Sequence, residues 1–396
     1  MTLDTEPFLY EFTPGAIRFG RGCTAEMGSD FADRGYERAL VVTGSNVGAN
    51  EAVMDPIADG LGDRLVEVFD RTTPEKSMHT AYDAHEVVEE NDIDVLVGVG
   101  AGSSLDIATM TSALYARYRP VSEIQAEVDR TGHVVVEEAK NEFLPLVFVP
   151  TTLTGADLSA GAGIKVPERP GERGVLNSAL TLSAGYYDPD LFETTPEHIL
   201  IGSAMNSFDK GIEALYSRHG EPITDGTAIR GLRYFRWSLP RLREADDPTV
   251  MERAVLGGIL TQFGVTVPHA TKLAVVHAMC HALRHQFGVQ QGIAHALIVP
   301  HALRWVLDES TGDEAKLAEA LDVAGADDTK KAIVEAVTAV RDGLQLPSRL
   351  RDIDGVARGK LREAAVLAHE DALMRNGPDD LEPTVDAIEA VFRAAW

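Results

Sequence analysis

"VLVGVGAGSSLDIATM", residues 95–110, is the stretch on which the fold turns. An apolar, β-branched run ends in Gly98, Gly100 and Gly102 and passes at once into apolar residues at helical spacing. That is the pattern of a buried strand, a tight turn and a helix. Glycines in such a turn let the backbone approach a phosphate, and the helix start adds N–H groups and the positive end of its dipole. Ser103 and Ser104 supply hydroxyl donors. GxGxxG is not matched, and a Gly-rich turn can serve packing alone.

Working outward, "ALVVTG" (39–44), "RLVEVFD" (64–70), "PLVFVP" (145–150) and "LTLSAGYYD" (180–188) also read as strands. Helical patterns lie between them, in "GANEAVMDPIADGL", "MHTAYDAHEVVEEND" and "SLDIATMTSALYARY". Alternation of strand and helix predicts a parallel, doubly wound sheet, a Rossmann-like α/β domain over residues 1–190. A second turn, "VFVPTTLTGADLS" (147–159), leaves another strand end and brings Thr151, Thr152 and Thr154 to the side where ligands bind such sheets. After "YYDPDLFETTPEH" the strands give way to long helical patterns, so residues 191–396 read as an all-α domain.

The 396 residues are 44% hydrophobic and 25% charged, as in ordinary globular proteins. Lys+Arg number 36 against 62 Asp+Glu, a formal net charge of -26. The acids are dispersed, as on the surfaces of proteins from salt-loving organisms, and such a surface repels nucleic acid and anionic membrane. With no long apolar run and no signal core in "MTLDTEPFLYEF", a cytoplasmic protein is expected. Two cysteines far apart, Cys23 and Cys280, exclude a disulfide framework.

Two stretches of the second half carry chemistry. In "SAMNSFDKGIEALYS" (203–217), Asn206 and Lys210 stand four apart and leave one helix face together. In the stretch 275–305, His277, His281 and His285 repeat every four residues, with His295 and His301 beyond. Such a stripe suits metal binding or proton transfer.

Together these pieces resemble the iron-containing (group III) alcohol dehydrogenase superfamily over nearly the whole chain. Its pyrophosphate motif GGGSxxDxAK is similar to Gly100-Ala101-Gly102-Ser103-Ser104-Leu105-Asp106-Ile107-Ala108-Thr109, with Thr109 for the final Lys. Pro150-Thr151-Thr152 matches its PTT turn, and the continuation "LTGADLS" resembles the maleylacetate reductase branch. "YYDPDLFETTP", "IEALYS", "HAMCHAL" and "IVPHALRW" match further family motifs. The resemblance implies the dehydroquinate-synthase-like fold, a nicotinamide cofactor and a homodimer or larger assembly. It also implies, in most members, one divalent metal held by an Asp and three His. At those positions this chain has Asn206 for the Asp and Lys210, His277 and Gln291 for the three His. His281 matches a further His beside the nicotinamide, and His295 falls where the family often has Asn.

Amides are weak ligands and an ammonium offers no lone pair, so no tightly bound metal is expected. Lys210 can instead put a positive charge where the ion would stand, with Asn206 and Gln291 as neutral hydrogen-bonding neighbours. The plainer reading of Lys210 is a lysine reaching a surface acid such as Asp209 or Glu213. Gly44-Ser45-Asn46 ends the first strand without a carboxylate, which favours NADP(H) over NAD(H). The expected activity is metal-independent, NAD(P)-dependent reduction of a small carbonyl compound. Lys210 polarises the oxygen, His281 or His277 relays the proton, and Arg284 and Lys210 offer charge for an anionic substrate. Two other classes stay open, a non-redox enzyme forming an imine on Lys210 and a catalytically silent binding or assembly protein, and a metal enzyme using other ligands is a lesser rival.

Overall fold

The computed structural model describes residues 10, 15–136, 142–177, 179–243, 247–267, 270–311 and 313–396. Most of the N-terminal stretch read above for a signal core lies outside them. The chain forms two compact units, Glu11–Pro196 and Glu197–Trp396, with Tyr10 joining the second.

Among the described residues, nine strands belong to the first unit. They are β1 (Ala16–Phe19), β2 (Ala39–Gly44), β3 (Leu65–Thr72), β4 (Val95–Gly100), β5 (Val134–Val135), β6 (Leu146–Pro150), β7 (Gly161–Ile164), β8 (Arg173–Leu176) and β9 (Ala184–Tyr187). Six form one parallel sheet in the order β1-β9-β6-β4-β2-β3. The central strands are buried on both faces, which is why they read as unbroken apolar runs. Val41, Val97, Val99, Val147 and Val149 pack on one face against Met27, Phe31, Val53 and Ile57 from two helices. The Gly102–Ala116 helix covers neighbouring strands.

A small second sheet, β5-β8-β7, was not anticipated. Its sequences "GAGI" and "RGVL" are too poor in β-branched residues to announce strands. "LTLSAGYYD" yields strand only over Ala184–Tyr187.

The second unit is helical apart from a two-residue antiparallel pair, Thr266–Val267 with Ala270–Thr271, which corrects the reading that strands end near residue 190. Its helices start as their sequences dictate. Pro222–Ser238 and Pro248–Gln262 each place proline in the first turn behind an acidic cap, Glu221 or Asp247, whose carboxylate accepts backbone N–H bonds. The histidine-rich stretch is two helices, Val275–Phe287 and Gln291–Glu309, parted at Gly288 (φ 72°). A Cβ at Gly292 would lie 2.0 Å from the carbonyl oxygen of Gly202. Glycine there lets the Gln291–Glu309 helix touch the Glu197–Tyr216 helix backbone to backbone. No helix among the described residues is long and apolar enough to cross a membrane.

Candidate active site

In the first unit, the residues expected to bind cofactor gather at the C-terminal ends of three adjacent strands, β6, β4 and β2. Gly100 ends β4 with φ +117°, a conformation L side chains rarely adopt. Ala101 precedes the Gly102–Ala116 helix without a side-chain cap, so the first-turn N–H groups of Gly102 and Ser103 take no bond from it. The backbone N–H of Thr151 donates to the Gly100 carbonyl (3.0 Å), joining the Thr-rich turn to the Gly turn. Thr152 and Thr154 share a hydroxyl hydrogen bond of 3.0 Å. A Cβ at Gly102 would stand 3.2 Å from that of Ala156. The two turns thus form a close backbone cradle of the kind that fits a diphosphate. Gly44 ends β2, followed by the exposed Ser45 and Asn46.

Asp106 differs from the others. Its carboxylate is buried and paired with Lys76 Nζ at 2.7 Å, and Lys76 also reaches Glu172 at 3.3 Å. Asp106 therefore ties the Gly-turn helix to the loop after β3 and is not an open acceptor. Lys76 and Arg71, which stands in register with Gly44 on β3, escaped the sequence reading because only the sheet brings them to the turn.

The second unit holds the other cluster. On the Glu197–Tyr216 helix, Asn206, Asp209, Lys210 and Glu213 share one face. Asp209 and Glu213 are completely buried, and Lys210 is 9% exposed. Neither acid is at the surface, so the reading of Lys210 as a lysine reaching a surface acid is corrected. That reading took polar residues on a helix for a solvated face, whereas this helix is buried nearly all round.

Glu213 organises the cluster. Its carboxylate accepts the N–H groups of Ala274 (2.9 Å), Val276 (2.8 Å) and His277 (3.1 Å). It thereby caps the Val275–Phe287 helix, whose own N-cap residue, Ala274, has no polar side chain. Glu213 Oε2 also lies 2.5 Å from His277 Nδ1. His277 Nε2 faces Asn206 Oδ1 at 3.1 Å. His295 donates Nδ1–H to the Gln291 carbonyl (2.8 Å), which leaves Nε2 as a lone pair 3.3 Å from Asp209 Oδ2. The His277 and His295 rings meet edge to face, centroids 4.5 Å apart. His281, partly exposed, places Nδ1 3.0 Å from Asp371 Oδ2. His285 and Arg284 are exposed and make no part of the cluster.

Burial governs the charges. It raises Asp209 to about 7, with the Glu213 charge adding to it, and raises Glu213 to about 7 against the three N–H donors. It lowers His277 to about 3, helped by His295, and His295 to about 4. Both imidazoles are thus neutral. Of the two acids, Glu213 with its N–H donors is the better placed to ionise. Asp209 Oδ2 stands 3.2 Å from His277 Nδ1 and 3.3 Å from His295 Nε2, and neither approach has good hydrogen-bond geometry. A carboxylate oxygen and an imidazole lone pair 3.3 Å apart repel unless a proton or a cation lies between them.

The family's metal positions, occupied by Asn206, Lys210, His277 and Gln291, offer one imidazole and no carboxylate, and do not fit a divalent ion. A displaced set does fit. Asp209, His277 and His295 each offer a ligand atom, all within 4.8 Å of one another and all buried. The expectation that no metal site remains is therefore not carried by the structure. The sequence signal for Asp209 and Glu213 was available, as charged residues within the otherwise apolar "ILIGSAMNSFDKGIEALY".

Comparison with known proteins identifies the family and the fold. The sequence profile of the iron-containing alcohol dehydrogenase family matches residues 14–189, and that of the Fe-containing alcohol dehydrogenase family, C-terminal, matches residues 200–396. The chain is 26% identical over 376 residues to the NAD-dependent methanol dehydrogenase of Bacillus methanolicus, covering 93% of this chain and 95% of that protein. It is 25% identical over 304 residues to the maleylacetate reductase of Sphingobium indicum, 75% of each chain. The solved structure of a 1,3-propanediol oxidoreductase superposes with a TM-score of 0.87 at 22% identity, covering 98% of this chain and all of that one. With two profiles spanning both units, the chain belongs to the iron-containing alcohol dehydrogenase family.

Proposed function

We propose that the protein is a nicotinamide-dependent oxidoreductase that reduces a small aldehyde, ketone or oxo-acid, with the Lys210 ammonium in the electrostatic place of the family's metal. One observation carries this reading. Lys210 is nearly buried on the helix face it shares with Asn206, and its charge acts on Asp209, His277 and His295 together. A fixed cation in a low-dielectric site stabilises negative charge growing on a carbonyl oxygen, and an ammonium can also donate the proton.

The nicotinamide, when bound, supplies the hydride. The chain's own residues do the rest. Gly100, Ala101, Gly102 and Ser103, with Thr151, Thr152 and Thr154, would hold the diphosphate. Asp371 fixes His281 by its Nδ1, leaving Nε2 free to carry protons between the cluster and water. Asn206 and Gln291 offer amides to the substrate. The Gly44-Ser45-Asn46 corner and the exposed Arg71 in register with Gly44 support NADP(H) over NAD(H).

A second reading rests on the displaced triad. A divalent ion on Asp209, His277 and His295 would polarise the carbonyl in the lysine's stead. One assay separates the two: oxidation of NADPH and NADH against aldehydes, ketones and oxo-acids, in molar KCl, with and without a strong chelator. Activity that survives chelation supports the lysine. Activity lost on chelation and restored by added metal moves the chemistry to the triad, and no oxidation with any substrate removes the reductase reading.

A further inference from the structure

In a chain with a net charge of -26, one pocket has no acid in its lining. It is built by the Gln291–Glu309 helix, the Thr329–Gly343 helix and the segment that follows, all within the second unit. Its volume is about 370 Å³, and its polar lining is His301, Arg304, Thr338, Arg341, Ser348 and Arg349. That size lies within the range of about 300–1,000 Å³ usual for small-molecule sites.

The guanidinium groups are only partly neutralised. Arg341, 7% exposed, donates from Nε (2.9 Å) and Nη2 (2.7 Å) to one oxygen of Asp342, itself mostly exposed. Arg304 Nη1 is 3.9 Å from Asp308, too far for a hydrogen bond. Among the described residues the Arg349 side chain has no ion pair. Burial, and then the Arg341 charge, hold His301 below its usual value. Helix spacing sets the rest, since Thr338 and Arg341 stand three apart on one helix, and His301 and Arg304 three apart on the other.

We propose that this pocket binds a small multivalent oxyanion, a phosphate monoester or a polycarboxylate, gripped by Arg304, Arg341 and Arg349 and by the Thr338 and Ser348 hydroxyls. Guanidinium forks match such oxygens two at a time, and no carboxylate lines the pocket, although Asp342 holds Arg341 from outside it and Asp308 stands 3.9 Å from Arg304. None of these residues serves the proposed catalysis, so the inference stands apart from that reading.

The test is calorimetric titration and thermal melting with inorganic phosphate, glycerol phosphate and citrate, ionic strength held constant with KCl. Arg304→Gln/Arg349→Gln is the informative variant, since both side chains are accessible and the fold does not rest on them. Arg358→Gln, on an exposed arginine elsewhere, is the control. Wild type and control should bind and melt higher with at least one anion, and the double variant should lose tenfold or more in affinity. Competition between glycerol phosphate and citrate then identifies the source of the oxygens. Equal binding by the double variant, or no binding by wild type, overturns the proposal. So does sedimentation in which wild type self-associates, the double variant does not, and no anion binds, because the pocket would then take an acidic side chain of a second copy.

Discussion

Replacing Lys210 by methionine keeps the length and apolar stem of the side chain and removes only its charge. In a nearly buried site an effective dielectric near 20 makes a unit charge about 4 Å from a developing oxyanion worth about 4 kcal/mol. Losses on removing one such stabilising group are about 2.7–4 kcal/mol, or 10²–10³ in turnover. The fold should tolerate the change, because Asp209, already raised to about 7 by burial, takes up a proton when its cationic neighbour goes. The assay is steady-state reduction of the best carbonyl substrate, alongside dinucleotide binding measured by quenching of intrinsic fluorescence. We expect kcat to fall 10²–10³-fold while dinucleotide affinity stays within about twofold, since the Gly turn lies in the other unit. A turnover within about threefold of wild type would refute the role given to Lys210. An equal loss of dinucleotide affinity would show that the substitution disturbs more than the reacting oxygen.

Glu213→Gln leaves N–H donors of Ala274, Val276 and His277 facing an amide that can accept through one oxygen only. The expected cost is about 2–3 kcal/mol, read as a lower denaturant midpoint at unchanged slope. Gly292→Ala would place a methyl 2.0 Å from the Gly202 carbonyl and should destabilise by about 1–3 kcal/mol in the same titration. Both cysteines are buried, and burial pushes Cys23 up to about 12 and Cys280 well above its usual value, so a thiol reagent should find none in the native protein and two after unfolding. His85 is buried with Nδ1 unpartnered, and burial holds it below its usual value of 6.5. Unfolding lets it protonate, so its contribution turns against stability as pH falls below about 6.5. His85→Gln should melt with less acid sensitivity than wild type between pH 7 and 5, and parallel curves would refute this.

The nucleotide half was legible because parallel strands buried on both faces announce themselves as apolar runs. Ala39–Gly44 appears with the bounds read from sequence, and the strand before Gly100 runs Val95–Gly100. The small β5-β8-β7 sheet was not, since Gly-rich strands carry no such signal. In the helical half, the long apolar patterns gave the helices. What stayed hidden was burial. The Glu197–Tyr216 helix is enclosed nearly all round, so its polar stripe faces inward, and sequence spacing gives the stripe without the direction. Asp209 and Glu213 therefore read as solvated acids although they sit at the centre of the cluster. The Lys76–Asp106 pair was hidden for a different reason, because its partners are 30 positions apart and meet only through the sheet.

The buried cluster also constrains its own chemistry. Two carboxyl groups, Asp209 and Glu213, lie with two imidazoles that burial keeps neutral, so any ionised acid there needs a cation close by. A divalent ion is one solution, and a lysine carried on the same helix is another. They are poor companions. At a separation of about 4 Å in a medium of effective dielectric near 20, a divalent ion and an ammonium repel by about 8 kcal/mol. A metal on Asp209, His277 and His295 would therefore require Lys210 to lose its proton or swing away. Lysine and metal are alternatives at this site, and the two experiments on them are coupled. If activity survives the chelator, Lys210→Met must be severe. If the chelator abolishes activity, the same substitution should relieve the repulsion and tighten metal binding instead of removing turnover. Any pairing of these outcomes other than those two would mean that neither cation sits where the buried acids call for one.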